Sequence, residues 1–329
     1  MRVLVTGATG FVGTSLIPLL EQHGHGLTLA LRTSESEDRL PGQSAQSVRR
    51  TVVVGEIDAH TDWRDALQGA DAVIHLAARA HVFDETADEE EAFVRINSSG
   101  TDRLVQQSIE ANVERFVLMS SIGAVTQTSE VRVTLDTPCA PSTPYGRSKL
   151  AAERALIERA ADSEMGWTIL RPTLVYGPGN PGNMQRLIAL VKRGWPLPLS
   201  SIRNRRSFTF VGNLADATVT ALSHPSARDT VFLVADGEDV STLELIHKIA
   251  ALTGTRTRLF DVPVPVLLGL AWGADRIASA SGISLPFGAR TVRRLVSSLC
   301  VDIEALRAKL DWTPPYSLDE GLRCMLTPP

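Results

Sequence analysis

The segment VLVTGATGFVG, residues 3–13, restricts the fold more than any other stretch of this chain. A short apolar run ends at Gly7, and Gly10 and Gly13 follow at three-residue intervals as the helical pattern GTSLIPLLEQHG begins. A strand that passes through glycines directly into a helix is the opening of a βαβ unit. Small residues let the backbone come close to an anion, and the new helix offers it free N–H groups and the positive end of its dipole. The spacing is G-x-x-G-x-x-G rather than G-x-G-x-x-G, so it departs from the commonest dinucleotide fingerprint. A tight turn that holds no ligand is the competing reading.

The rest of the first half repeats this alternation. Strands are expected at 2–7, 27–32, 51–56, 72–77, 115–121 and 167–172, with helical patterns such as DWRDALQG and TDRLVQQSIEANV between them. Strands alternating with helices imply parallel pairing, and continuous apolar runs suit strands covered on both faces. The expected fold class is therefore α/β, a Rossmann-type doubly wound parallel sheet. After residue 173 the alternation fails, glycine and proline crowd 177–182, and 241–329 reads as mostly helical. The expected organisation is a dinucleotide-binding domain over 1–173, to which 205–240 returns, with its last strand in TVFLVADGE. A smaller, mostly helical substrate lobe is expected from 174–204 and 241–329.

Composition narrows the function classes. The 33 basic and 37 acidic residues leave a net charge of −4, with no basic block for nucleic acid. Cys139, Cys300 and Cys324 lack metal or disulfide spacing, so no metal is expected and a reducing, cytoplasmic setting fits. The most apolar later stretch, 262–274, is interrupted by Pro263 and Pro265 and reads as a buried helix, so no membrane span is expected.

The end of the second strand speaks to the cofactor. It presents Leu31 and Arg32 where an NAD site offers a carboxylate to the ribose hydroxyls. An arginine there can pair with a 2′-phosphate, so NADP(H) is favoured and NAD(H) remains possible. The competing reading has Arg32 stacked on adenine or facing solvent.

A reaction centre is suggested further on. RFVLMSS ends in Ser120 and Ser121 at the sheet's carboxyl edge, and Tyr145 follows Ser121 by 24 residues, with Lys149 four later. Residues at i and i+4 share a helix face, so Tyr145 and Lys149 can address one ligand. A free phenol, with a pKa of about 10, is a poor base near neutrality, and a neighbouring ammonium favours its ionised form. Ser121 would hold the substrate oxygen while Tyr145 carries its proton. Standing alone, Tyr-x-x-x-Lys would be read as the start of an ordinary surface helix. The preceding glycine turn and Ser121 make it a candidate centre.

TGATGFVG, HLAA (75–78), INSSGT (96–101), SS (120–121), YGRSK (145–149) and RPTLVYGPG (171–179) together resemble the extended short-chain dehydrogenase/reductase family across essentially the whole chain. The nearest character is that of nucleotide-sugar 4-epimerases and 4-keto reductases. The resemblance implies catalytic Ser121, Tyr145 and Lys149, with Asn97 as a helix-stabilising fourth residue. It implies cofactor contacts from Gly7, Thr9, Gly10, Phe11, Val12 and Gly13, and from Leu76, Ala77, Ala78 and Arg79. Glu56 and Ile57 would flank adenine, and a homodimer would form through helices near 88–112 and 146–161.

The same resemblance suggests a UDP-sugar substrate. In NRRSFTFVGNLADA (204–217), Arg206 stands where the family's arginine meets a diphosphate, with Arg293 as a second clamp and Asn183 as a further contact. A solvated face or surface ion pair is the competing reading for each arginine. Two departures stand out. Leu174 replaces an asparagine common in epimerases, and Ile122 and Gly123 follow Ser121 where dehydratases place an acidic pair. GNMQRLIALVKRGWPLPLSSIRNRRS and VDIEALRAKLDWTPPYSLDEGL are similar to a bacterial subgroup acting on UDP-N-acetylhexosamines in O-antigen and capsule synthesis. The leading expectation is an NADPH-dependent reductase of a UDP-4-keto-6-deoxy-N-acetylhexosamine. The alternative is a UDP-glucose or UDP-N-acetylglucosamine 4-epimerase with tightly bound NAD. A non-enzymatic dinucleotide sensor and a reductase of a steroid or flavonoid ketone are further readings. Retention of both Tyr145 and Lys149 weighs against the sensor, and Arg206 against a neutral substrate.

Overall fold

The computed structural model describes residues 1–43, 47–80, 87–180, 183–281 and 289–326. The chain opens with β1 (Arg2–Thr6), α1 (Phe11–Gln22), β2 (Gly26–Leu31) and β3 (Arg49–Val53). The expected helix in DWRDALQG is a single turn, α2 (Arg64–Leu67), which leads into β4 (Ala72–His75). Helix α3 (Ala87–Phe93) passes through a π-helical segment, Val94–Ser99, into α4 (Gly100–Glu110). β5 (Arg115–Met119), α5 (Pro144–Ala160) and β6 (Gly166–Pro172) follow.

Beyond β6 the elements are shorter: β7 (Leu174–Tyr176), α6 (Asn183–Lys192), β8 (Pro196–Leu197), β9 (Arg206–Phe210), α7 (Val211–Ser223), β10 (Thr230–Val234) and β11 (Asp239–Val240). The chain continues through α8 (Thr242–Thr253), β12 (Arg258–Leu259), α9 (Val264–Ser281), α10 (Ala289–Val296), α11 (Glu304–Leu310) and α12 (Leu318–Leu326).

Seven strands form one sheet in the order β10-β6-β5-β4-β1-β2-β3, and every pairing in it is parallel. All six expected strands of the first half are present, and TVFLVADGE contributes the edge strand β10. The order reverses between β1 and β4, which opens a crevice at their carboxyl ends, the place where doubly wound sheets bind ligands. Side chains alternate between two cores as a strand demands. Val3 and Val5 lie on one side with α1 and α7, while Leu4 joins Phe116, Leu118 and Leu156 on the other. Both faces are covered, and that is why these strands read as unbroken apolar runs.

β9 stays out of the large sheet. It pairs with β7 and β11 in a three-stranded sheet, while β8 and β12 form a two-stranded one. Tyr176, Phe208 and Phe210 centre a third core with Met184, Ile188 and Ile246. Asp236, just past β10, ties this core to the main sheet by accepting from Tyr176 Oη at 2.9 Å, the Phe210 N–H at 2.7 Å and Asn213 Nδ2 at 2.7 Å. Burial pushes its carboxyl up to about 6 against the pull of those donors.

Candidate active site

The glycine turn is shaped by contact with β4's exit. Gly7 sits at φ +71°, and a side chain there would bring Cβ within 2.7 Å of the Ala77 nitrogen. A Cβ at Gly13 would collide with the carbonyl oxygens of Gly7 and Ala8. Gly10 caps α1 with no side-chain hydrogen bond, and α1 has no acidic residue in its first turn. The helix's leading N–H groups are thus left for an anion, which fits a dinucleotide pyrophosphate between β1 and β4. Thr9, Phe11 and Val12 surround this turn, with Phe11 and Val12 also packed against the third core.

His75, in the HLAA stretch, braces the turn from below. Thr101 Oγ1 donates to the Asn97 carbonyl at 2.7 Å, so it accepts from His75 Nε2 at 3.0 Å. That leaves His75 Nδ1 to accept from Thr6 Oγ1 at 2.7 Å, and Thr6 in turn accepts from the Ala77 N–H at 3.2 Å. The chain of bonds assigns a neutral ring, and burial followed by the Lys149 charge holds His75 down at about 3. Asn97, 1% exposed, accepts from the Arg79 N–H at 2.7 Å and donates to the Arg79 carbonyl at 3.0 Å. It also donates to Ser148 Oγ at 3.0 Å, and Ser148 donates to the Tyr145 carbonyl at 2.8 Å. One buried amide thereby joins the groove after β4 to the first turn of α5.

Ser121, Tyr145 and Lys149 converge where β5 ends and α5 begins. Thr143 caps α5, accepting from the Gly146 N–H at 3.1 Å, and Pro144 occupies the first turn. A side chain on Gly146 would overlap the Gly123 carbonyl, so its absence lets α5 lie against the turn Ile122–Ala124. Ser121 Oγ accepts from the Gly123 N–H at 3.1 Å, beside the Tyr145 phenol. Burial pushes the Tyr145 phenol up, with the Ser121 hydrogen bond opposing. Phe93 packs edge-on against the Tyr145 ring at 5.9 Å. Lys149 donates to the Met119 carbonyl at 2.8 Å, and burial brings it down to about 8.

The remaining candidates lie at varied distances from this centre. Arg32, past the end of β2, pairs with Glu56 at 3.4 Å, and both side chains are well exposed. Ile57 packs against Gly100 and the core on that side. Arg79 forms a two-pronged pair with Glu89 at 2.9 and 2.8 Å. Arg206 opens β9, and its Nη1 donates to the carbonyls of Arg294 (2.7 Å) and Ser297 (3.2 Å) at the end of α10. Burial, then the neighbouring Arg294 charge, lowers its guanidinium. Arg293 is exposed on α10, and Asn183 starts α6 with its side chain outside the described residues. Among the described residues no acidic, histidine or cysteine cluster could hold a metal. No described helix is long and apolar enough to cross a membrane.

The sequence reading passed over Thr6, His75, Ser120, Glu153 and Arg171, all buried around the centre. Thr6, His75, Ser120 and Arg171 lay inside the quoted motifs, and Glu153 follows Lys149 by four, one turn along the same helix face. Nothing local marked them as one cluster.

Comparison with known proteins places these observations. The profile of the NAD dependent epimerase/dehydratase family matches residues 3–235. A UDP-glucose 4-epimerase of Vibrio cholerae is 38% identical over 98% of this chain and 93% of its own length. The solved structure of MoeE5 in complex with UDP-glucose and NAD superimposes with a TM-score of 0.76 at 27% identity, covering 99% of this chain and 97% of that one. UDP-glucuronic acid 4-epimerase of Bacillus cereus in complex with NAD shares the fold, with a TM-score of 0.76 at 21% identity over 98% and 97% of the two chains.

Proposed function

This chain belongs to the NAD dependent epimerase/dehydratase family, and on that premise we propose that it oxidises and re-reduces C4 of a UDP-hexose or UDP-N-acetylhexosamine, with 4-epimerisation as the net reaction. The observation that carries this reading is the convergence of Ser121, Tyr145 and Lys149 beside the glycine crevice. Support for the substrate comes from the relative named as a UDP-glucose 4-epimerase and from MoeE5 with UDP-glucose and NAD.

The chemistry follows from the site. Ser121 holds the C4 oxygen, and Tyr145 removes or returns its proton. Lys149, an ammonium one turn away, stabilises the phenolate that Tyr145 must become. Gly7, Gly10 and Gly13 seat the dinucleotide, and Asn97 fixes the groove after β4 against α5. A bound nicotinamide supplies reversible hydride transfer at the sugar carbon. Ile122 and Gly123 offer no side-chain acid for eliminating water, so dehydration is not supported. Arg206 and Arg293 would meet the substrate diphosphate, with Asn183 beside them. In this reading 1–173 and 205–240 carry the cofactor, while 174–204 and 241–329 carry the sugar nucleotide.

A second reading, the NADPH-dependent 4-keto reductase, is favoured by Arg32. It stands where a carboxylate would repel a 2′-phosphate, and an exposed pair such as Arg32–Glu56 is weak enough to exchange partners. The deciding experiment gives the purified protein UDP-glucose or UDP-N-acetylglucosamine without added cofactor. Interconversion with the 4-epimer that Tyr145→Phe abolishes supports epimerisation. No interconversion, with stoichiometric NADPH oxidation on UDP-4-keto-6-deoxy-N-acetylglucosamine, overturns it in favour of the reductase.

A further inference from the structure

We propose that Glu153, clamped by Ser120 and Arg171, is a positioning residue that sets the charge state of Lys149. The two serines that follow β5 point to opposite sides. Ser121 meets Tyr145, whereas Ser120 turns inward and its hydroxyl donates to Glu153 Oε1. Arg171 on β6 lies beside it, since the Ser120 N–H donates to the Leu170 carbonyl at 2.8 Å. The Arg171 guanidinium grips both Glu153 oxygens, Nε to Oε1 at 3.0 Å and Nη2 to Oε2 at 2.6 Å.

Lys149 hangs from the adjoining strand residue through the Met119 carbonyl, one helical turn from Glu153. All four groups are nearly sealed from water, with Ser120 3%, Lys149 4%, Glu153 1% and Arg171 7% exposed. The arrangement is a buried row of charges, ammonium, carboxylate and guanidinium. Removing the carboxylate would leave two buried cations without that counter-charge, and burial alone already disfavours the ammonium. The Glu153 charge is the one that opposes this loss.

The other groups around the row do not substitute for it. His75 on β4 is neutral, and Tyr145 on α5 is protonated in the resting state. Cys139 approaches Arg171 Nη2 at 3.5 Å and contacts the guanidinium rather than Lys149. Glu153 therefore decides whether Lys149 carries its proton near neutrality. The consequence for catalysis rests on the roles given to Tyr145 and Lys149 above, whereas the charge assignment does not.

The chain has only four lysines, Lys149, Lys192, Lys248 and Lys309, so selective 13Cε-lysine labelling of the full chain gives a spectrum in which Lys149 is assignable with Lys149→Met. A pH titration should place the Lys149 midpoint about one to three units lower in Glu153→Gln and higher in Arg171→Met, as expected for losing or unmasking an opposite charge. The double variant should return towards the wild-type midpoint. Opposite displacements establish the proposal. An unmoved midpoint, or displacement in one direction by both variants, overturns it. If Glu153→Gln does not fold, the double variant compared with Arg171→Met decides, since that step removes the Glu153 charge alone and should lower the midpoint. The alkaline limb of turnover should follow the same order. Displaced midpoints in a protein that turns over no UDP-sugar would sink the functional reading and leave this one standing.

Discussion

Tyr145 and Lys149 are both disfavoured as ions by burial, and each depends on a neighbour to compensate. Ser121 lowers the phenol and Glu153 raises the ammonium. Tyr145→Phe should reduce turnover by about 10²- to 10⁴-fold with little change in dinucleotide affinity, measured by steady-state kinetics and calorimetry. Lys149 predicts an alkaline limit. Its folded-state midpoint, about 8, lies below its ordinary value, so the ammonium is present below that pH and is lost as pH rises through it. Turnover should fall over that interval, and activity still rising well above it would refute the role of the ammonium. The stability contribution of this lysine has the opposite slope, because above the folded midpoint the unfolded chain holds the extra proton.

Helix α5 shows how one element places several groups at once. Thr143, Pro144 and Gly146 fix its start, Tyr145 and Lys149 point into the site, and Glu153 locks the next turn to β5 and β6. Thr143→Ala should cost about 1 kcal/mol of stability, read by denaturant unfolding. It should also lower turnover at saturating substrate, since Tyr145 lies in the turn that the cap organises. Gly146→Ala should be more damaging, because the Gly123 carbonyl occupies the space of the new methyl. A fully active Gly146→Ala enzyme would show that α5 need not lie so close to β5. At the same scale, α1 carries a proline, Pro18, inside its length, and the glycines ahead of it matter for approach rather than for helix propensity.

For the molecule as a whole, Asp236 joins the main sheet to the third core through three donors. Asp236→Asn cannot reproduce three accepted bonds and should destabilise by about 1–3 kcal/mol. The sign with pH is fixed by the raised carboxyl. The folded state keeps a proton that the unfolded chain releases near its ordinary value of about 3.9, so this contribution declines as pH rises from there to about 6. The variant's deficit, measured by urea unfolding, should therefore be larger at mildly acidic pH than above neutrality. We also propose a homodimer through the outward faces of α4 and α5, where Arg159 pairs with Asp102 and Ile157 is 39% exposed. Sedimentation at micromolar concentration should give twice the chain mass, and a monomer would remove this interface.

Much of the architecture is local information. Apolar runs separated by amphipathic helices dictate a parallel sheet, because such strands need cover on both faces. Gly7, Gly10 and Gly13 declare themselves by lying between a strand and a helix, and Tyr145 and Lys149 by sharing a helix face. Those properties depend on neighbours a few residues away, so the sequence alone determined them. The cluster of Thr6, His75, Thr101 and Asn97 could not be read in that way, and neither could Ser120, Glu153 and Arg171. Each set draws its members from separate strands and helices, and only β-strand order and register bring them within hydrogen-bonding distance. Tertiary structure also decided which of two adjacent serines faces the site, since strand alternation assigns opposite faces without saying which is which. Burial completed the chemistry, because a lysine and a tyrosine acquire unusual charge energetics only when the assembled fold takes water away from them.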